Sequence, residues 1–281
     1  MLRSTPLATA QNHLLELLPE ADQQRILARC DSVQLVQGQV LCEADTPLLH
    51  AYFPVHGFIS LLTRIEDHPS LEVGMVGREG LFGAALALGI TASPLQALVQ
   101  GPGQAWRIPA AGLQRELARS ATLRQTLQHY LYVLMAQMAS SAACLRFHLI
   151  GPRLARWLLM SEDRAHASRF QVTHEFLACM LGVRRVGVTV AAGVLQRQGL
   201  IAYHRGRVTV LDRPGLEAAA CPCYARQHLA YHALLGGNAP GHGADPDGLP
   251  HGPGRFSGVN GQSDPAEPSV QRQPQLRTAP T

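Results

Sequence analysis

The sequence predicts an α+β chain: an N-terminal β-roll of the jelly-roll type, one long helix, and a C-terminal winged helix-turn-helix. Three observations carry this. From about 33 to 108, short apolar or alternating runs are punctuated by Gly38, Gly57, Gly74, Gly77, Gly101 and Gly103, the rhythm of short strands joined by glycine turns. After Pro109 the turn residues thin out and apolar residues recur at helical steps to about 147. Then "THEFLACMLGVRRVGVTVAAGVLQRQGL" reads as two helices around Gly182, and "IAYHRGRVTVLD" as two short strands joined by a tight turn.

The bulk numbers permit such a chain. With 281 residues, 46% hydrophobic and 16% charged, there is enough apolar surface for a proper core. No apolar run reaches the roughly 18 residues of a membrane span, and "MLRSTPLATAQNH" lacks the apolar stretch of an export signal, so a cytoplasmic location and no membrane partner are expected. Cys30, Cys42, Cys144 and Cys179 stand singly among apolar neighbours, as buried free thiols do in reducing compartments.

In order, an amphipathic helix is expected at 12–29, with Leu14, Leu17, Leu18, Ile26 and Leu27 apolar around Pro19. The β-roll then completes a first unit at 12–109, with "REGLFGAALALG" a short helical insertion. Over 110–147, Leu113 and Leu117 suit a short helix, and Ser120 suits the N-cap of a longer one. That longer helix carries Leu123, Leu127, Leu131, Leu134, Met138, Ala142 and Leu145 at steps of three and four. The stripe is long for a helix serving one small barrel, so Leu123, Leu127, Leu131, Leu134 and Met138 are expected to pair with a second copy. A unit at 148–224 opens with the amphipathic "PRLARWLLMSEDRA" and contains the helix-turn-helix; a Gly- and Pro-rich tail at 235–281 is expected to be disordered.

Charge is distributed unevenly. Residues 1–145 hold nine arginines against eleven carboxylates, residues 146–226 twelve against five, and the remainder three against four. A basic module of this kind suits a polyanion, because guanidiniums displace counterions from phosphates and bind them bidentately. Within it Thr173 begins one helix, Gly182 allows the left-handed turn that ends it, and a second starts near Arg184, with Val186, Val190 and Val194 or Leu195 on one face. Arg184 and Arg185 are placed against the helix dipole. An approaching polyanion would compensate them. Arg205 and Arg207 flank Gly206 in the turn of a wing able to reach a sugar-phosphate backbone.

Other chemistries find weaker support. Cys221 and Cys223, with His228 and His232 one helical turn apart, could form a tetrahedral zinc site or a redox switch. The Cys-x-Cys spacing and the stiff Pro222 argue instead for helix packing, so no metal is assigned. A jelly-roll metalloenzyme needs a close His-x-His pair that His50, His56 and His68 do not supply, and no nucleophile or phosphate-loop motif occurs. The chain is therefore not expected to be an enzyme. A binding or scaffold protein whose helix-turn-helix leaves DNA alone is the alternative.

The order of β-roll, long helix and winged helix-turn-helix, with "YFPVHGFISLL", "EVGMVGREG" and "THEFLACMLGVRRVGVTVAAGVLQRQGLI", resembles the Crp/Fnr family of bacterial transcription regulators over residues 12–224. The resemblance implies a cyclic-nucleotide-binding-like sensor roll, a dimerisation helix, and double-stranded DNA with a palindromic operator, a second copy and RNA polymerase as partners. It places Thr173 at a phosphate-contacting cap and Arg185 on the base-reading arginine, with Arg184, Val186, Thr189, Arg205 and Arg207 around them as DNA contacts. Arg184, Val186 and Val190 depart from the usual recognition pattern, so a different operator is expected. Arg185 is expected on a guanine, Arg184 on a phosphate and Val186 on a thymine methyl.

The family's nucleotide contacts are absent: Phe82-Gly83-Ala84 lacks the ribose-binding carboxylate, and Pro94-Leu95-Gln96-Ala97 the phosphate-binding arginine. Cys30 and Cys42 are too few for the N-terminal iron-sulfur cluster of the oxygen-sensing branch. His13, His50, His56 and His68 read as surface or loop residues rather than haem ligands. No cofactor is assigned, and the signal stays open.

Overall fold

The computed structural model describes residues 11–66, 69–165 and 167–236. His68 and the tail expected from 235 lie outside these residues, apart from Leu235 and Gly236. In place of one N-terminal helix there are two, α1 (His13–Glu16) and α2 (Glu20–Leu27). Pro19 causes the break: it has no N–H to continue a helix, and its extended backbone makes it the N-cap of α2. Asn12 anchors the pair to the roll. Its fully buried amide donates to the carbonyls of Pro54 and Gly80 at 2.9 Å each, while Leu15 N–H donates to its Oδ1.

The roll comprises β1 (Asp31–Leu35), β2 (Val40–Cys42), β3 (Thr46–Pro47), β4 (His50–Thr63), β5 (Leu71–Val76), a 3₁₀ turn at Ala84–Leu88 where the insertion is expected, β6 (Ala92–Ser93) and β7 (Gln96–Pro109). The main antiparallel sheet runs β1-β7-β4-β5, with β2 also on β7; β3 pairs with β6 separately. The long strand β4 bends through register shifts between Pro54 and Ile59. At the bend Gly57 has φ +75°, and a Cβ there would collide with the carbonyls of Gly101 and Pro102.

Helices α3 (Ala110–Arg119) and α4 (Ala121–Phe147) follow, split by Ser120, whose Oγ accepts from Leu123 N–H at 3.0 Å. The stripe expected to pair with a second copy packs in part on the roll of its own chain. Leu123, Leu127 and Leu134 are buried in the same cluster as Phe53, Leu81, Phe82 and Leu86 of the roll, and Leu131 and Met138 pack against that cluster. On this side of α4 Leu123, Leu127 and Leu134 close the roll's own apolar opening, while Leu131 and Met138 stay half-buried. The exposed side of α4 carries Tyr132 and Met135, 59% and 65% accessible, with Ala142 and Ala143 below them.

The C-terminal elements are α5 (Ile150–Ala165), β8 (Arg169–Gln171), α6 (His174–Leu181), α7 (Arg185–Arg197), β9 (Ile201–His204), β10 (Arg207–Val210), α8 (Arg213–Ala219) and α9 (Cys223–Leu235). The strands form a sheet ordered β8-β10-β9. Helix α9 extends beyond the expected domain end at 224 and returns to the roll: Tyr231 and Leu235 join the first core, and Tyr231 hydroxyl donates to Glu79 carbonyl at 2.8 Å.

Helix α5 joins roll to helix-turn-helix. Phe58, Leu62 and Met75 of the roll share a cluster with Trp157, Leu158 and Leu177. At this seam Trp157 Nε1–H donates to Glu72 at 2.9 Å, and Ser60 hydroxyl donates to its other oxygen. Arg164 pairs with Glu79 at 2.8 Å. Loss of hydration outweighs the two hydrogen bonds and pushes the Glu72 carboxyl from 4.5 up to about 7. Because the folded value is the higher, this group favours the native state below pH 4.5 and progressively opposes it as pH rises to 7. Replacing Glu72 by Gln is expected to flatten this segment of the stability profile, measured by urea unfolding from pH 4.5 to 8; an unchanged slope contradicts the assignment.

Candidate nucleic-acid interface

Helix α6 starts at Thr173, whose Oγ1 accepts from Phe176 N–H at 3.1 Å. It ends at Gly182, with φ 59° and ψ 44°, the left-handed conformation that glycine adopts without penalty. A side chain there would also press on Leu71, 2.8 Å from the position of a Cβ. The axis then turns by 107° into α7. Arg184 is the extended N-cap residue of α7 and has no side-chain cap bond; Arg185 is its first helical residue.

Val188, Ala191, Ala192 and Leu195 form the buried face of α7, against Leu154, Leu158 and Leu177. The expected common face of Val186, Val190 and Val194 exists but points away from the core, with Val186 and Val190 72% and 62% accessible. Leu195 belongs to the buried side. Unpartnered valines beside Arg185 give this helix a mixed basic and apolar outer face, suited to base edges and thymine methyl groups.

The wing closes through a two-residue turn in which Arg205 and Gly206 both have positive φ, 47° and 76°, the twist that a tight hairpin requires. Its register pairs Arg207 with His204 and Val208 with Tyr203. Val172 N–H donates to Gly206 carbonyl at 2.7 Å and ties the turn to the start of α6. Arg184, Arg185, Arg205 and Arg207 are exposed, and none takes part in an ion pair among the described residues. By contrast, the buried-side Arg213 holds Glu162, Asp163 and Glu217.

One residue of this surface escapes sequence reasoning. His174 stacks on Tyr203 of the wing, with centroids 4.3 Å apart, and its Nδ1 lies 3.0 Å from Thr189 Oγ1. Thr189 hydroxyl in turn lies 3.1 Å from Arg185 carbonyl as donor. The imidazole thus bridges α6, α7 and the wing. Burial, and secondarily the Arg185 charge, lower its pKa, which favours the neutral ring in the stack. No spacing rule could find it, because the wing reaches it only in three dimensions.

The other flagged residues divide differently from expectation. Cys221 and Cys223 meet Cys144 and His148, not the histidines of their own helix. His228 Nε2 lies 3.5 Å from Asp163 and its ring stands edge-on to Tyr224, while His232 stands edge-on to Tyr231. His13 opens α1 and bonds Tyr231 hydroxyl through Nδ1, and His50 and His56 lie in β4 rather than in loops. In the roll, Phe82 and Ala84 are buried with Ala97 in the first core. No single helix among the described residues is long and apolar enough to cross a membrane.

Comparison with known proteins agrees with this geometry. Residues 32–120 match the cyclic nucleotide-binding domain family, and residues 152–219 the Crp-like helix-turn-helix domain. The global nitrogen regulator of Synechococcus elongatus is 24% identical over 211 residues, covering 72% of this chain and 94% of that protein. A putative Crp/Fnr transcriptional regulator from Eubacterium rectale superposes with a TM-score of 0.59 at 16% identity, over 75% of this chain and 99% of its own. FixK2 from Bradyrhizobium japonicum gives 0.59 at 15%, over 68% and 98%. At such identities the two structures speak for the fold alone. With a cyclic-nucleotide-binding-type roll ahead of a Crp-like helix-turn-helix, this chain is a member of the Crp/Fnr family of DNA-binding transcription regulators, a family without enzymatic activity.

Proposed function

We propose that this regulator binds a palindromic operator as a homodimer and answers to a signal other than a cyclic nucleotide. The observation that carries the reading is the exposed Arg184–Arg185 pair at the N-terminus of α7, where the helix dipole opposes it and no carboxylate among the described residues offsets it. In this reading 12–109 is the sensor unit, 110–147 the dimerisation region and 148–224 the DNA-binding unit. Arg185 reads a guanine, Arg184 and Thr173 hold phosphates, Val186 meets a thymine methyl, and Arg205 and Arg207 grip the backbone through the wing. Thr189, its hydroxyl engaged by Arg185 carbonyl and His174, keeps the helix face in register. RNA polymerase is the further partner when the operator lies near a promoter.

The dimer contact belongs to the outer side of α4, around Tyr132, Met135, Ala142 and Ala143. Two large apolar side chains above two alanines allow close helix approach, and a twofold there would present two α7 helices to half-sites about 34 Å apart. The absence of the ribose carboxylate and phosphate arginine at 82–84 and 94–97 speaks against a cyclic nucleotide, whose charge would have no partner on entering the roll.

Replacing Arg185 by Ala is expected to relax preference at one base pair by about 1–3 kcal/mol, read by binding to a library of single-base operator variants. Arg205→Ala or Arg207→Ala should instead weaken all sequences alike and lower the salt slope by about one per residue; indistinguishable behaviour of the two kinds of variant contradicts the roles. Tyr132→Glu with Met135→Glu should give a monomer by light scattering, whereas a persisting dimer would move the interface elsewhere.

A further inference from the structure

At the junction of the two units lies a cluster that DNA binding does not use. Cys144, in the last turn of α4, His148, the residue that ends that helix, Cys221, two residues before α9, and Cys223, its first residue, converge so that their ligand atoms all lie within 4.8 Å of one another. We propose that Cys144, His148, Cys221 and Cys223 form a zinc site that clips the end of the long helix to the segment following the wing.

Three independent features support this. The first is geometry. Zinc bound tetrahedrally at about 2.3 Å from sulfur and about 2.0 Å from nitrogen places sulfurs about 3.8 Å apart and sulfur about 3.6 Å from nitrogen. Cys144 and Cys221 sulfurs are 3.4 Å apart, and Cys223 sulfur is 3.6 Å from His148 Nδ1. The second is the surroundings. The three thiols are only 2–4% accessible and form a cluster of their own rather than merging into either core. Thiols serving as packing would mix with the neighbouring leucines.

The third feature is charge. Three thiolates, one neutral imidazole and Zn²⁺ sum to −1, which a low-polarity site must balance. Arg156 supplies the complement: it is buried, one of its nitrogens reaches Ser141 hydroxyl at 3.3 Å, and its Nε has no hydrogen-bond partner among the described residues. Arg153, whose charge also interacts with Cys144 and Cys221, donates to the carbonyl of Leu181, the last residue of α6.

The position gives the site a consequence. His148 is extended, separating α4 from α5, and Cys221 N–H donates to Pro152 carbonyl in the first turn of α5 at 3.3 Å. Zinc would therefore fix the hinge between the long helix and the DNA-binding unit, one arginine away from the helix-turn-helix bend.

The test is metal analysis of the full-length chain, purified without an affinity tag under reducing conditions. About one zinc per chain is expected, and Cys144→Ser or Cys223→Ser should lose it while Cys30→Ser and Cys42→Ser retain it. Because a variant could misfold, cobalt(II) exchanged into the wild-type protein provides a second readout: intense thiolate-to-metal charge transfer with the visible bands of tetrahedral coordination. Sub-stoichiometric zinc with no such cobalt spectrum overturns the proposal. So does iron with acid-labile sulfide, or an intact mass two units low from a Cys144–Cys221 disulfide. None of these readouts involves DNA, so the site stands or falls apart from the operator reading.

Discussion

The arrangement of the whole chain depends on how the leucine face of α4 is used. Leu123, Leu127 and Leu134 seal the roll, against Phe53, Leu81 and Phe82, and each fully buried leucine contributes on the order of 1.5–3 kcal/mol through lost water contact. Once that face is committed, the helix is held along the roll over most of its length, Tyr132 and Met135 are left outside, and the end of the helix at Phe147 fixes where α5 begins. The DNA-binding unit hangs from that point.

From there, α5 touches both the roll and the helix-turn-helix. Its Trp157 bonds Glu72 of the roll, and its Arg153 bonds the carbonyl at the end of α6. These two bonds link the roll to the helix-turn-helix through one helix. Gln137 adds a third tie, accepting from Met75 N–H at 2.7 Å.

What was legible in the sequence is what local chemistry decides. Ser120 and Thr173 cap the helices they were expected to cap, Gly182 takes the left-handed turn, and Arg205-Gly206 closes the wing, because each depends on residues within three or four positions. Pro19 shows the limit of periodicity: the apolar spacing continues across it, but the missing N–H ends one helix and starts another. The stripe on α4 was visible as a buried face, yet periodicity says only that something covers it; within the chain the roll covers Leu123, Leu127 and Leu134. His174 and the Cys144–His148 half of the thiol cluster were out of reach altogether, since their partners lie 15 residues or more away in the sequence, on other elements.

The central claim is that a guanidinium surface at the start of α7 and on the wing meets DNA. Arginine modification by phenylglyoxal, mapped by mass spectrometry with and without a bound genomic operator fragment, tests it directly. Protection of Arg184, Arg185, Arg205 and Arg207, with the exposed Arg115 and Arg119 of α3 modified equally in both states, is the predicted result. Equal modification of all six in the complex would contradict it.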